Sequence, residues 1–373
     1  MHESSMHILH LSAVKNWGGG ENHIENLCSE LALSNPEVRN TIFCVKNGAF
    51  HKRLKKTNLN FIPATLWPKF DPRFFIKLGR VCKKQKVDII HIHDPSAILL
   101  AILADKFYKL PPFVFSKKTS FPIKQRKKTL YKYNYPKIKK VLCVSKETQK
   151  IASAGIENQE KLITIYHGTN LKTKSTETPF LLREKYNLAS DKIIIGNIAN
   201  HIRAKHLDTL VDIVDIIINK QKRKEFFFIQ IGTFTDRTEA LKERIKALNL
   251  ENHIEFLGYT PNASNFLPQF DVSLVTSQSE GVPQVIYESF YHKTPVISTD
   301  VGGIPEIVDQ DINGLLSPMH TPKSLSKHII ELSENPLKQK SFVDKGYEKL
   351  ITKFTTANMA QQTLEVYKNI ILD

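Results

Sequence analysis

The chain has 373 residues, more than one hydrophobic core normally organises, which predicts two domains. Hydrophobic residues at 41% and charged residues at 24% exclude a disordered chain, and the longest apolar run, 97–104, is far short of the roughly 20 residues a membrane-spanning helix needs. With 53 Lys and Arg against 37 Asp and Glu, the net charge of +16 predicts an anionic partner: nucleic acid, an acidic membrane face or a phosphate-bearing substrate.

The opening MHESSMHILHLSAVKNW has no basic lead and only a histidine-broken apolar stretch. It does not read as a secretory signal, so a cytoplasmic location is expected. Cys28, Cys44, Cys82 and Cys143 stand far apart with no CxxC pair, which predicts reduced, buried thiols in place of a zinc knuckle or disulfide framework.

Short runs rich in Ile, Val and Phe then alternate with helix-like stretches. Strands are expected at 7–12, 41–45, 60–63, 87–93, 113–116, 140–145 and 162–166, and again at 192–198, 226–232, 254–258, 272–277, 295–299 and 314–317. Runs that are apolar throughout suit strands covered on both faces of a parallel sheet, so the class is α/β, doubly wound. A polar stretch, 167–185, marks the domain boundary, and 355–372 has the spacing of a helix that packs back across the domains.

Ligands of such sheets bind outside the carboxyl ends of the strands. After the first strand comes WGGGEN, where Gly18, Gly19 and Gly20 allow close backbone approach and a helix starting near Glu21 offers free N–H groups to an anion. The spacing is not GxGxxG, so no dinucleotide fingerprint is read, and a merely flexible turn is the alternative. The strand VDIIHIHDP carries His91 and His93 on one face, with Asp94 next. These could serve a reacting group or hold a metal, although no third ligand cluster is evident, or could be buried imidazoles satisfied by backbone. In 116–140 Lys and Arg interleave with Phe121, Tyr131, Tyr133 and Tyr135, a composition suited to an anionic membrane leaflet, to single-stranded nucleic acid, or to a solvated face.

In the second half, Arg203 and Lys205 head a helix with apolar positions Leu207, Leu210, Val211 and Val214. Cations there oppose the helix dipole unless something negative is bound. Strand 272–277 runs into SEGVPQVIYES, with Pro283 expected at the first helical position. A diphosphate on the free N–H groups near Gly281, Val282 and Gln284, around Pro283, would leave its ribose about 7 Å along the helix, near Glu288, and its sugar near Glu280. The plain alternative is two surface glutamates. A second glycine turn, VGGIPE, and NGLL follow.

Glu280 and Glu288 with TPVISTDVGGIPEIV and INGLL resemble the donor-binding half of the family-4 glycosyltransferases, retaining enzymes of GT-B fold; WGGGENHIENL and VDIIHIHDP are similar to that family's first glycine loop and His-x-His strand end. The likeness covers nearly the whole chain and is most specific over 254–318. It implies two facing Rossmann-like domains, 1–170 for the acceptor and 171–354 for the nucleotide sugar, with 355–373 a helix packing back on the first. It implies no cofactor beyond a UDP- or GDP-linked donor, no metal, a glycan or lipid-linked acceptor, and a role in bacterial cell-surface polysaccharide such as lipopolysaccharide, capsule or exopolysaccharide. By position, His93 would lie at the anomeric centre, with Lys205 on the diphosphate, Glu280 on the transferred sugar and Glu288 on the ribose. Gly19 and Gly20 would line the donor, and Gly18, Glu21, Lys117 and Lys118 the acceptor. One departure stands out: Ala199 and Asn200 occupy the place of a family Gly-Arg, and His206 that of a glycine, which leaves Arg203 as the second cation. With this resemblance the basic stretch is read as facing the inner surface of the membrane, and no nucleic acid is expected. A GT-B sugar-nucleotide epimerase and a basic nucleic-acid-binding protein are the rival readings.

Overall fold

Runs that are apolar on both faces must be covered on both faces, and the chain does this twice. The computed structural model describes residues 6–67, 71–119, 121–171 and 175–372. Contacts divide the chain into two units, one up to Gly168 together with the residues from Thr355, the other Thr169–Phe354.

The first unit holds β1 (His7–Leu11), β2 (Arg39–Val45), β3 (Phe61–Ala64), β4 (Ile89–Ile92), β5 (Phe113–Lys117), β6 (Ile138–Cys143) and β7 (Leu162–Thr164). All pair parallel, in the order β3-β2-β1-β4-β5-β6-β7. Parallel neighbours need crossovers, and helices such as Gly19–Ser34, Pro72–Gln85 and Pro95–Tyr108 supply them. Asp71 and Asp94 cap the latter two through side-chain oxygens, each with proline at the first turn. One face of the sheet buries Leu9, Phe43, Ile90 and Phe115 under those helices. The other buries Ile8, Ile89 and Val114 against Leu27 and Leu31 and against Leu364 and Tyr367 of the helix Thr356–Leu372.

The second unit repeats the plan with β8 (Ile193–Ile198), β9 (Phe226–Ile231), β10 (Ile254–Phe256), β11 (Val272–Val275), β12 (Val296–Thr299) and β13 (Leu315–Ser317), ordered β10-β9-β8-β11-β12-β13. The predicted apolar positions Leu207, Leu210, Val211 and Val214 are all buried on the helix Leu207–Asp215. In each sheet the strand order reverses beside the first strand, β1 against β4 and β8 against β11. That reversal opens a crevice at the carboxyl ends.

All four cysteines are free and buried, as expected. Burial pushes the Cys44, Cys82 and Cys143 thiols up to about 12. Among the described residues no helix is long and apolar enough to cross a membrane.

Candidate functional site

In the first unit the crevice lies between the loops after β1 and β4. Gly18 precedes the helix Gly19–Ser34, which begins two residues before the expected start at Glu21. A side chain on Gly19 would meet nothing within 4 Å, so the loop has open space in front of it. Glu21 folds back beneath, buried, and desolvation raises its carboxyl above the usual range. Lys118 reaches over from just past β5 and donates from Nζ to Gly20 O at 3.0 Å. Burial brings its ammonium down to about 7, with Glu21 and Asp94 partly opposing that shift.

Lys117, its neighbour, goes elsewhere. It is buried, and its Nζ is held by the carbonyls of Thr119 and Phe121, so it organises the turn after β5 and is not brought to the glycine loop. Alternation along a strand separates the two side chains. Asp94 is also committed: Oδ1 accepts from the N–H of Ser96 and Ala97, and Oδ2 from that of Ala13 at 2.8 Å. It therefore ties the loop after β1 to the loop after β4.

His93 lies just past β4, its N–H donating to Leu11 O at 3.0 Å. Its ring lies 4.0 Å from that of His91, on the shared face the alternation predicts. The absence of a third ligand in the sequence reading is corrected here. Parallel pairing sets His10 of β1 opposite His91 of β4, and His10, His91 and His93 place ligating nitrogens within 4.8 Å of one another. Most of these nitrogens are already bonded: His10 to His93 and Asn40, His91 to Tyr367 Oη at 2.5 Å and Ser116 Oγ at 2.7 Å. His23 and His167 adjoin, with Nδ1 atoms 2.9 Å apart. Burial lowers all five imidazoles, His10 to about 4 and His167 to about 3, so the cluster is neutral near pH 7.

In the second unit the crevice is built by the loops after β8 and β11. Arg203–Lys205 form one 3-10 turn, and the Lys205 ammonium pairs with the Glu280 carboxylate. Glu280 Oε1 also accepts from Ser277 Oγ at 2.6 Å. Two hydrogen bonds hold the loops together, the backbone bond Gln278 N to Ala204 O at 2.8 Å and the side-chain bond Thr276 Oγ1 to Lys205 O at 3.0 Å. The Arg203 guanidinium is exposed and makes no ion pair among the described residues. Asn200 accepts from Thr233 N at 2.9 Å and so fastens the loop after β8 to the loop after β9. His206 takes the left-handed conformation, φ 46°, that a glycine would accept without strain, and bonds Thr209 Oγ1 through Nδ1 at 2.8 Å.

The helix after β11 is Gln284–Tyr291, so Pro283 sits at its cap, one position before the expected one. Glu288 is the fifth residue of that helix and is half-buried. The VGGIPE turn packs beneath Gly281 and Glu280: Gly303 N donates to Gly281 O at 3.0 Å, and Gly302 has φ +57°. Val282 continues the same loop. In the basic stretch, Phe121 and Tyr131 are exposed, but Tyr133 packs on Phe115 and Tyr135 donates to Asp105 Oδ2 at 2.7 Å. Half of the interleaved aromatics thus serve the core, a correction to the surface reading.

Comparison with known proteins adds the following. Residues 17–173 match the family model described as Glycosyltransferase Family 4, and residues 180–349 the one described as Glycosyl transferases group 1. The chain is 25% identical over 177 residues to poly(ribitol-phosphate) alpha-N-acetylglucosaminyltransferase of Staphylococcus aureus, a match spanning 47% of this chain and 35% of that one. It is 20% identical over 313 residues to N-acetyl-alpha-D-glucosaminyl L-malate synthase of Bacillus anthracis, spanning 82% and 81%. The crystal structure of Anabaena HepE in complex with UDP-glucose superposes with a TM-score of 0.83 at 20% identity, over 98% of this chain and 100% of that one. With both halves matched by glycosyltransferase models and the fold shared over nearly its whole length, the chain belongs to the family-4 glycosyltransferases of GT-B fold.

Proposed function

We propose that this glycosyltransferase moves a sugar, with retention at the anomeric carbon, from a UDP- or GDP-linked donor to a glycan or lipid-linked acceptor in the synthesis of bacterial cell-surface polysaccharide. The observation that carries the reading is the loop pair after β8 and β11, where the Lys205 ammonium pairs with the Glu280 carboxylate, Arg203 of the same turn as Lys205 is exposed, and the loop of Glu280 leads into the helix Gln284–Tyr291. In the step itself the bond from the anomeric carbon to the diphosphate breaks, the electron pair leaves on phosphate oxygen, and the acceptor hydroxyl forms the new bond and gives up its proton to that oxygen. Fixed cations and N–H dipoles stabilise that departing charge. Glu280 then holds hydroxyls of the transferred sugar, Glu288 those of the ribose, and His93 faces the reacting sugar. No carboxylate is assigned as a nucleophile, and the cations present supply the charge stabilisation without a metal. The half-buried Lys118 over Gly20 suits an acceptor that bears negative charge. The S. aureus relative, named as a poly(ribitol-phosphate) alpha-N-acetylglucosaminyltransferase, supports a polymeric acceptor, and HepE, crystallised with UDP-glucose, supports the donor class.

A thermal-shift screen of UDP-, GDP-, ADP- and CMP-sugars tests this. A ligand at 100 times its Kd adds about 2.7 kcal/mol, a rise of several degrees in Tm. One nucleotide class should stand out, and product analysis with labelled donor should then find the sugar on an acceptor or on water, unepimerised. No response to any of the four at millimolar concentration would sink the proposal.

A further inference from the structure

His93 is buried, and its Nδ1 has no hydrogen-bond partner among the described residues. A bare buried ring nitrogen is either a donor or an acceptor, and the surrounding bonds decide which. Asn40 donates from Nδ2 to the Val38 carbonyl at 3.0 Å, so its Oδ1 is the atom facing His10. His10 must therefore donate from Nε2 to that oxygen, 3.0 Å away. As a neutral imidazole it then has a lone pair on Nδ1. His93 Nε2 lies 3.1 Å from that lone pair and must donate to it. The two rings are nearly coplanar, 20° apart, with centroids separated by 5.4 Å, as a straight N–H···N bond between imidazoles requires. His93, also neutral, is left with its lone pair on Nδ1.

We infer that Asn40 and His10 are positioning residues that lock His93 as the Nε2–H tautomer, so that Nδ1 meets the transferred sugar as a hydrogen-bond acceptor for one of its hydroxyls. The tautomer follows from this unit alone; its use rests on the proposed transferase reading. An acceptor suits that place better than an N–H donor or an imidazolium, because the transition state at an anomeric carbon gains positive charge. The groups around the pair are His7, His91, His23 and Lys118, with Glu21 and Asp94 against Lys118.

The test is a two-bond 1H–15N correlation spectrum of the full chain labelled with 15N-histidine, at pH 7.5, with His93 assigned by its loss in His93→Gln. His93 should show an unprotonated Nδ1 and a protonated Nε2. Asn40→Asp should invert it: the carboxylate holds His10 as an imidazolium, which donates from both nitrogens, so His93 accepts at Nε2 and carries its proton on Nδ1. Asn40→Leu should leave a mixture of the two tautomers, and it decides the matter if Asn40→Asp does not fold. Saturating UDP-glucose or GDP-mannose, whichever binds, should move the Nδ1 resonance, and Asn40→Asp should lower transfer to water at least about tenfold. A proton on Nδ1 of the unmodified chain, or a folded Asn40→Asp with the same tautomer, overturns the lock. An Nδ1 signal unmoved in the donor complex overturns its contact with the sugar. If the tautomer is found but neither nucleotide sugar binds, it is the proposed UDP- or GDP-linked donor that fails, and the lock stands.

Discussion

An ammonium and a carboxylate in contact screen each other, so the Lys205–Glu280 pair holds both charges in place, and the proposed reading gives each a separate task on the donor. At the scale of single residues this makes the two glutamates unequal. On the proposed role of Lys205, a cation acting on the charge that develops in the transition state, Lys205→Ala should lower kcat roughly 10²–10³-fold with little change in donor affinity. On the proposed role of Glu288 at the ribose, Glu288→Ala forfeits hydrogen bonds worth about 1.5–3 kcal/mol and should weaken donor affinity roughly 10- to 100-fold with a smaller effect on kcat. Both are read from donor saturation curves, and unchanged kinetics in the pair would remove the site assignment. The contrast between Lys117 and Lys118 belongs to the same scale: adjacent in sequence, one ammonium is spent on carbonyls of its own turn and the other reaches the glycine loop.

At the scale of elements, the turn between β12 and β13 is the tightest constraint on the donor loop. A Cβ on Gly302 would lie 1.8 Å from the Glu280 carbonyl oxygen, and its φ of +57° disfavours any side chain. Gly302→Ala should cost roughly 1–3 kcal/mol and displace Glu280, lowering Tm and donor affinity together. A variant with normal Tm and donor binding would show that the turn does not support the loop. The segment Lys127–Tyr133 with exposed Tyr131, and Phe121 before it, is the part of the basic stretch still able to meet a membrane. Flotation with anionic liposomes should recover the protein at low salt and lose it at high salt. No salt-sensitive flotation would end the membrane reading.

These elements also show what a sequence discloses. All thirteen expected strands occur, because a strand covered on both faces is apolar along its whole length. Glu280, Lys205 and His93 were singled out by one rule, that ligands sit past the carboxyl ends of strands, and the structure places all three past such ends. His10 was missed because it lies within β1, and only the parallel register with β4 brings it to His91. The signal existed: a doubly wound sheet sets its first strand beside the strand that begins the return, so histidines near the ends of both are neighbours. Tyr133 and Tyr135 were misread as surface because a basic context says nothing about the direction of the rings between the charges.

At the scale of the whole molecule, acid should unbalance the two units. Burial lowers the imidazoles of His7, His10, His23, His51, His91, His93 and His167 in the first unit, five of them in one buried cluster, and those of His201, His206 and His253 in the second. The unfolded chain titrates these groups near 6.5. Below that pH it binds protons that the folded chain refuses, so stability falls as pH drops from about 6.5 towards 4, the value for His10. Lys118 works higher: lowered to about 7 in the folded state, it makes stability rise between about 7 and 10.5. Both tryptophans, Trp17 and Trp67, lie in the first unit, so their emission follows that unit during melting. Between pH 7.5 and pH 5 the Tm seen by tryptophan should fall further than any transition that emission does not report. An equal or absent shift would refute the assignment.

The helix Thr356–Leu372 belongs to the first unit, where Tyr367 bonds His91 and Leu364 covers the sheet. On a ribosome, therefore, the first unit begins first and is completed last. Its apolar groove over Ile8, Ile89 and Val114 lacks this cover until the second unit has already been made. A nascent chain must carry that open groove through the synthesis of a whole domain, which makes it the place where a chaperone has longest to bind.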